Sequence, residues 1–216
     1  MRRLLLLVLG SAILFSACSS SKASTTPAAS ATSQTASASP ADSSAAATPT
    51  NAAVTVTPAS SFVMQDGNWV VLAHDTADFT AKFPTQPTLT TSTTTTAIGD
   101  APTSLWTDEE GGNLIYYVMT AKYPTGSLGA AKASALYDGA VNGMVGGTAG
   151  LALSGQGDVT LNGHIGRSFL LTSSLGSLQG VVVVVGDSMY MAYAAYTSSV
   201  DPAMIQTFLA DFQLTI

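Results

Sequence analysis

The chain has 216 residues, 13 acidic against 7 basic side chains, a formal net charge of −6 and only 9% charged residues. From residue 61 onward, twelve acids face four bases (Lys82, Lys122, Lys132 and Arg167), a net charge of −8. That balance excludes nucleic acid as a partner, since its binding depends on Lys and Arg neutralising phosphates. It equally disfavours docking of the protein surface on anionic lipid headgroups.

Arg2 and Arg3 open the chain, and Leu4 to Phe15 is an apolar run. A positive start, a short apolar stretch and a small-residue exit are the parts of a secretory signal peptide, predicted over residues 1–17. Twelve helical residues rise only ~18 Å against a hydrocarbon core of ~30 Å, too short for a permanent span. The next residues, Leu14-Phe15-Ser16-Ala17-Cys18, resemble the lipobox of bacterial lipoproteins. The resemblance implies cleavage between Ala17 and Cys18, a diacylglyceryl group on the Cys18 thiol and acylation of the new amine. Palmitate is a typical chain in such an anchor. Ser19 follows in place of an inner-membrane retention Asp. The family rule then implies an extracytoplasmic position in the cell envelope, on the outer membrane where the cell has two. Cys18 is the only cysteine, so an internal disulfide is impossible.

From Ser19 to Ser60, 36 of 42 residues are Ser, Thr, Ala or Pro. Such a segment buries too little apolar surface to offset its ordering entropy, which predicts a disordered tether over 18–60. A single domain is expected over 61–216.

Within the domain, "FTAKFP" alternates Phe79, Ala81 and Phe83 with Thr80 and Lys82, a half-buried strand ending at Pro84. "TLTTSTTTTAIG" has strand propensity with a polar face, as an outer strand would. "SLWTDEEGGNLIYYVM" reads as a hairpin with an acidic Gly-Gly turn, Asp108-Glu109-Glu110 at its solvated tip, and an inner returning strand. Leu128, Lys132, Leu136, Ala140 and Met144 form one row of a helix reaching about Val145, stopped by Gly146-Gly147. Asn162-Gly163 is a tight hairpin turn, and Val181 to Val185 a buried central strand followed by a second run, "MYMAYAAY". The last helix has Asp201 as cap, Pro202 at its first position and Met204, Ile205, Phe208, Leu209 and Phe212 as its apolar stripe. Hairpin-linked strands with two helices predict an α+β fold, an antiparallel β-sheet flanked by helices.

"FTAKFPTQP", the Thr-rich strand after it, "YYVMTAKYP", a helix, paired long strands and a terminal "FLADFQL" together resemble bacterial secreted domains of the PsbP-like fold. The resemblance spans most of residues 69–214 and implies an α/β/α sandwich. It implies no activity, and no metal or partner-binding residue is carried across.

Chemistry is sparse. His74 and His164 lie ninety residues apart, which predicts no metal site. Ser19 to Lys22 read Ser-x-x-Lys inside the tether, and no Gly-x-Ser-x-Gly elbow is present. The glycines of "SGQGDVTLNG" read as turns, since lysine and a following helix are missing from a phosphate-loop pattern. No catalytic residue, cofactor or metal ligand is therefore assigned. The leading expectation is a lipid-anchored binding or assembly module whose partner is another envelope protein or polymer. The alternatives are an envelope hydrolase acting through His164, Arg167 or Asp108–Glu110, and a carrier of small apolar ligands in a groove beside Tyr190 and Tyr196.

Overall fold

The computed structural model describes residues 55–58, 63–66, 69–73, 78–96 and 98–216. Ala17, Cys18, the Ser-x-x-Lys segment, the tether up to residue 54 and His74 lie outside the described residues. In chain order the elements are β1 (Thr55–Pro58), β2 (Val63–Asp66), β3 (Trp69–Ala73), β4 (Phe79–Phe83), β5 (Thr88–Thr96), β6 (Gly99–Glu110), β7 (Leu114–Lys122) and α1 (Ala130–Gly147). Then follow β8 (Ala152–Leu161), β9 (His164–Thr172), β10 (Ser177–Val185), β11 (Ser188–Tyr196), α2 (Pro202–Asp211) and β12 (Gln213–Leu214).

The strands form an eight-stranded sheet, β1-β5-β6-β7-β11-β10-β9-β8, and a four-stranded sheet, β12-β4-β3-β2. Every pairing between described strands is antiparallel. The described residues thus form mostly antiparallel sheet with two helices. Hairpins dominate because the turns suit them. Asn162 (φ 49°) and Gly163 (φ 87°) both take the positive φ that a two-residue turn matching strand twist requires. The Asn162 side chain also accepts from the Leu214 amide at 3.0 Å, joining that turn to the small sheet.

The central strands are buried on both faces, which is why their sequences are apolar throughout. On β10, Val181 and Val183 enter one core and Val182 the other. On β11, Tyr190, Ala192 and Ala194 face the first core, and Met189 and Met191 the second. The first core is closed by Ile205, Phe208 and Phe212 with Phe79, Ala81 and Phe83 of β4. The second is closed by Tyr137, Ala140, Val141 and Met144 of α1. Gly180 permits close packing here: an added Cβ would stand 2.4 Å from Tyr193 Cβ and 2.7 Å from Phe169 Cζ.

Several expectations are corrected. The main sheet carries α1 on one face, but its other face carries a second sheet as well as α2. Thr55–Pro58, read as tether, pairs with Thr88–Thr91 and so belongs to the main sheet. β5 is therefore not the outermost strand. The acids Asp108–Glu110 are strand residues of β6, and the turn is Gly111-Gly112-Asn113 beyond them. Leu136, Ala140 and Met144 of the expected row pack in the second core with Tyr137 and Val141, while Leu128 packs there from just before the helix and Gly146-Gly147 form its last turn. Met204 is 40% exposed, because a helix that buries Ile205, Phe208 and Phe212 turns position 204 toward solvent.

Candidate functional site

Four polar groups organise the described molecule. Asp108 is 4% exposed, the one buried charged side chain among the described residues. Its Oδ2 accepts from the Thr85 amide at 2.9 Å, and its Oδ1 accepts from the Thr85 hydroxyl. The carboxylate thereby fixes the chain just after Pro84, where β4 has ended. Glu110, two residues on, shares its face of β6. Burial and the nearby Asp108 charge push the Glu110 carboxyl above its ordinary range. Opposite Asp108 in register is Tyr116, fully buried, whose phenol is pushed up to about 12 by burial, Glu110 and Asp108.

Arg167 on β9 reaches α1 and the neighbouring strand. Its guanidinium donates to Asp138 at 2.6 Å and lies 4.0 Å from Asp158 of β8. His164, three residues earlier, points to the opposite face, with Nε2 3.5 Å from the Ile216 carbonyl. The β10–β11 turn supplies Asp187, whose carboxylate accepts from the amides of Gly126 and Leu128 and whose carbonyl accepts from Tyr123 N. This clamps the connection leading into α1, whose N-cap, Gly129, has no side chain to cap it. Finally, the Tyr137 hydroxyl donates to the Ile165 carbonyl at 2.9 Å and accepts from the Val184 amide at 3.3 Å. The β9–β10 ladder ends at Gly166 and Val183, so Tyr137 bridges the strands where they part.

The groups singled out from sequence do not converge. Asp108 and Glu110 lie on one face of β6, and Glu109 on the other. β6 and β9 are four strand steps apart, roughly 19 Å at ~4.8 Å per step. His164 and Arg167 cannot share a reacting atom with the acids. Tyr190 is buried, and that burial, together with the hydrogen bond its hydroxyl donates to Asp78 at 2.8 Å, pushes its phenol up to about 12. Tyr196 is half-buried and donates to Gln179 at 3.2 Å. The groove expected beside this pair is therefore replaced, at Tyr190, by packed core. Among the described residues no three His, Asp or Glu side chains gather closely enough to hold a metal ion, and no helix is long and apolar enough to cross a membrane.

The sequence marks Gly186-Asp187 as a hinge between two apolar runs but not the amides that Asp187 holds, and it leaves Tyr137 and the Thr85–Asp108 pair unmarked. Asp187 carried a signal, a Gly-Asp turn between two apolar runs, where the side chain is free to cap nearby amides. Tyr137 carried none, since its partners come from strands far along the chain.

No protein-family model and no curated protein matches the chain. Among solved structures, it is similar to the cyanobacterial PsbP (CyanoP) of Synechocystis sp. PCC 6803, at 8% identity and a TM-score of 0.48. That likeness covers 69% of this chain and 94% of the other. It is also similar to PA94 of Pseudomonas aeruginosa, a protein of unknown function, at 13% identity and a TM-score of 0.38, over 65% of this chain and 94% of that one. No site residue, ligand or partner is carried across from either.

Proposed function

We propose that this chain is a lipid-anchored envelope protein whose PsbP-like domain is a non-catalytic binding or assembly module. Export uses residues 1–17, cleavage falls between Ala17 and Cys18, and acylated Cys18 holds the protein on the extracytoplasmic side. The lipobox-like Leu14 to Cys18 and the charged-then-apolar start support the anchor. Two or three acyl chains at ~0.8 kcal/mol per buried methylene give durable membrane attachment. The "FTAKFPTQP" and "YYVMTAKYP" landmarks support the fold assignment.

One observation favours binding over hydrolysis. Among the described residues the candidate polar side chains lie apart on different strands and faces, and three of them hold the fold: Asp108 on Thr85, Arg167 on Asp138, Tyr190 on Asp78. General acid–base work needs such groups within hydrogen-bond reach of one substrate. The partner is another envelope protein or an envelope polymer. Crosslinking intact cells, with the anchor and tether alone as control, tests this. The expected result is one partner joined through mapped residues of the domain. Identical products from domain and control would overturn the reading.

A further inference from the structure

The two cores are closed differently. Both α2 and the small sheet cover the first, whereas α1 is the one described element outside the main sheet that reaches the second. By its own sequence α1 is a weak helix. Four of its eighteen residues are glycine, Gly139, Gly143, Gly146 and Gly147. An interior glycine weakens a helix about fivefold relative to alanine. Gly129 at the N-cap supplies no side chain, the first turn carries Lys132 rather than an acid, and the last turn has no base. Polar fastenings gather at its start and middle: Asp187 on the Gly126 and Leu128 amides, Tyr137 on the β9 and β10 backbones, Asp138 on Arg167. Beyond Gly139, Ala140, Val141 and Met144 are buried.

Three thioethers line the floor of this core. Met119 of β7 and Met191 of β11 face each other in register, and Met189 lies two residues along on the same face. Met189 and Met191 are 0% exposed and Met119 5%. Methionine sulfur reacts with a hydroperoxide where the other apolar side chains of this core do not. Its lone pair attacks a peroxide oxygen and the O–O bond breaks. The hydroxyl proton passes to the departing oxygen, leaving a sulfoxide and water or an alcohol. The sulfur gives up two electrons and the peroxide takes them.

We propose that α1 is a gate over a methionine oxidation site. The helix unfolds locally from the sheet, a hydroperoxide reaches Met119, Met189 and Met191, and the sulfoxides then keep the helix from closing. Local opening of a weakly held element needs far less free energy than global unfolding. A sulfoxide is polar and no longer fits a packed apolar core, so oxidation latches the gate open. The switch needs neither the anchor nor the partner proposed above.

The full-length protein is treated with dilute hydrogen peroxide, and each methionine is followed by peptide mass spectrometry. Met204, 40% exposed, is the freely reached reference. Met119, Met189 and Met191 are expected to oxidise more slowly than Met204, at rates flat in urea below the unfolding transition. Rates that climb from zero urea as steeply as global unfolding would overturn the proposal. Tyr137→Phe is expected to speed all three about tenfold. Asp201→Ala, which weakens α2 instead, is expected to leave them unchanged. Equal acceleration by both variants, or none by Tyr137→Phe, would overturn it. Gly146→Ala, whose added Cβ meets nothing within 4 Å, is expected to slow the three by about two- to fivefold, and unchanged rates would count as failure. The oxidised protein should exchange amides fast across residues 133–147 and slowly in α2 and β4. A helix still protected after oxidation would overturn the latch.

Discussion

Two tyrosines of the second core predict opposite responses to loss of their hydroxyls. Tyr137 OH serves both the Ile165 carbonyl and the Val184 amide. Tyr137→Phe leaves these unserved and is expected to cost about 1–3 kcal/mol in urea unfolding. Tyr123 is equally buried, but its hydroxyl has no hydrogen-bond partner among the described residues, and burial pushes its phenol up to about 12. Tyr123→Phe is expected to leave stability unchanged or raise it by about 1 kcal/mol. A loss like that of Tyr137→Phe would contradict this account of Tyr123. The buried phenols also set an alkaline limit. Tyr116, Tyr123 and Tyr190 stay protonated in the fold to about pH 12, whereas in the unfolded chain they ionise near the ordinary value of 10. The unfolded state therefore holds fewer protons between those values, and stability falls as pH rises through that window. Each such phenol steepens the fall by about 1.4 kcal/mol per pH unit. Urea midpoints should hold steady up to about pH 10 and drop beyond it. Glu110 acts at the other end of the scale. Its raised carboxyl opposes folding once pH exceeds the ordinary carboxylate range, so Glu110→Gln is expected to raise the urea midpoint at neutral pH and to lose that advantage in acid. A midpoint lowered at neutral pH would contradict the reading.

Among elements, α2 shows the shortest path from sequence to structure. Asp201 Oδ1 accepts from the Ala203 amide at 2.9 Å, and Pro202 needs no amide partner at the first position. Asp201→Ala is expected to cost about 1 kcal/mol, read by thermal unfolding. Gly180→Ala is expected to cost more, about 1–3 kcal/mol, because the new methyl has no space between Tyr193 and Phe169. The alternation in "FTAKF", the Asn162-Gly163 turn and the valine run were all legible, since each is a local pattern with a local cause. β1 was not, because four residues in a Ser/Thr/Ala tract become a strand only when β5 offers them an edge. The acids of β6 stand one to three residues before the turn rather than at its tip, because Gly111 and Gly112 accept positive φ and carry the turn without them (φ 60° and 73°). One consequence is that Asp108 moves from a solvated tip into the core. Its burial is visible only once Thr85, in the connection between β4 and β5, stands beside it.

For the whole molecule, one sheet serves two cores, and β7, β10 and β11 contribute side chains to both. Phe208→Ala in one core and Met191→Ala in the other are each expected to cost about 2–5 kcal/mol while shifting the same single transition. Two separate transitions would show that the layers fold independently. In the function proposed above, the tether and anchor decide where this unit works, and that proposal rests on Leu14 to Cys18. The most direct test is the intact mass of the protein isolated from the membranes of its own cells. A chain beginning at Cys18, heavier than its polypeptide by a diacylglyceryl group, is the result expected; a chain with an unmodified Cys18, or one found only in the cytosol, would contradict it.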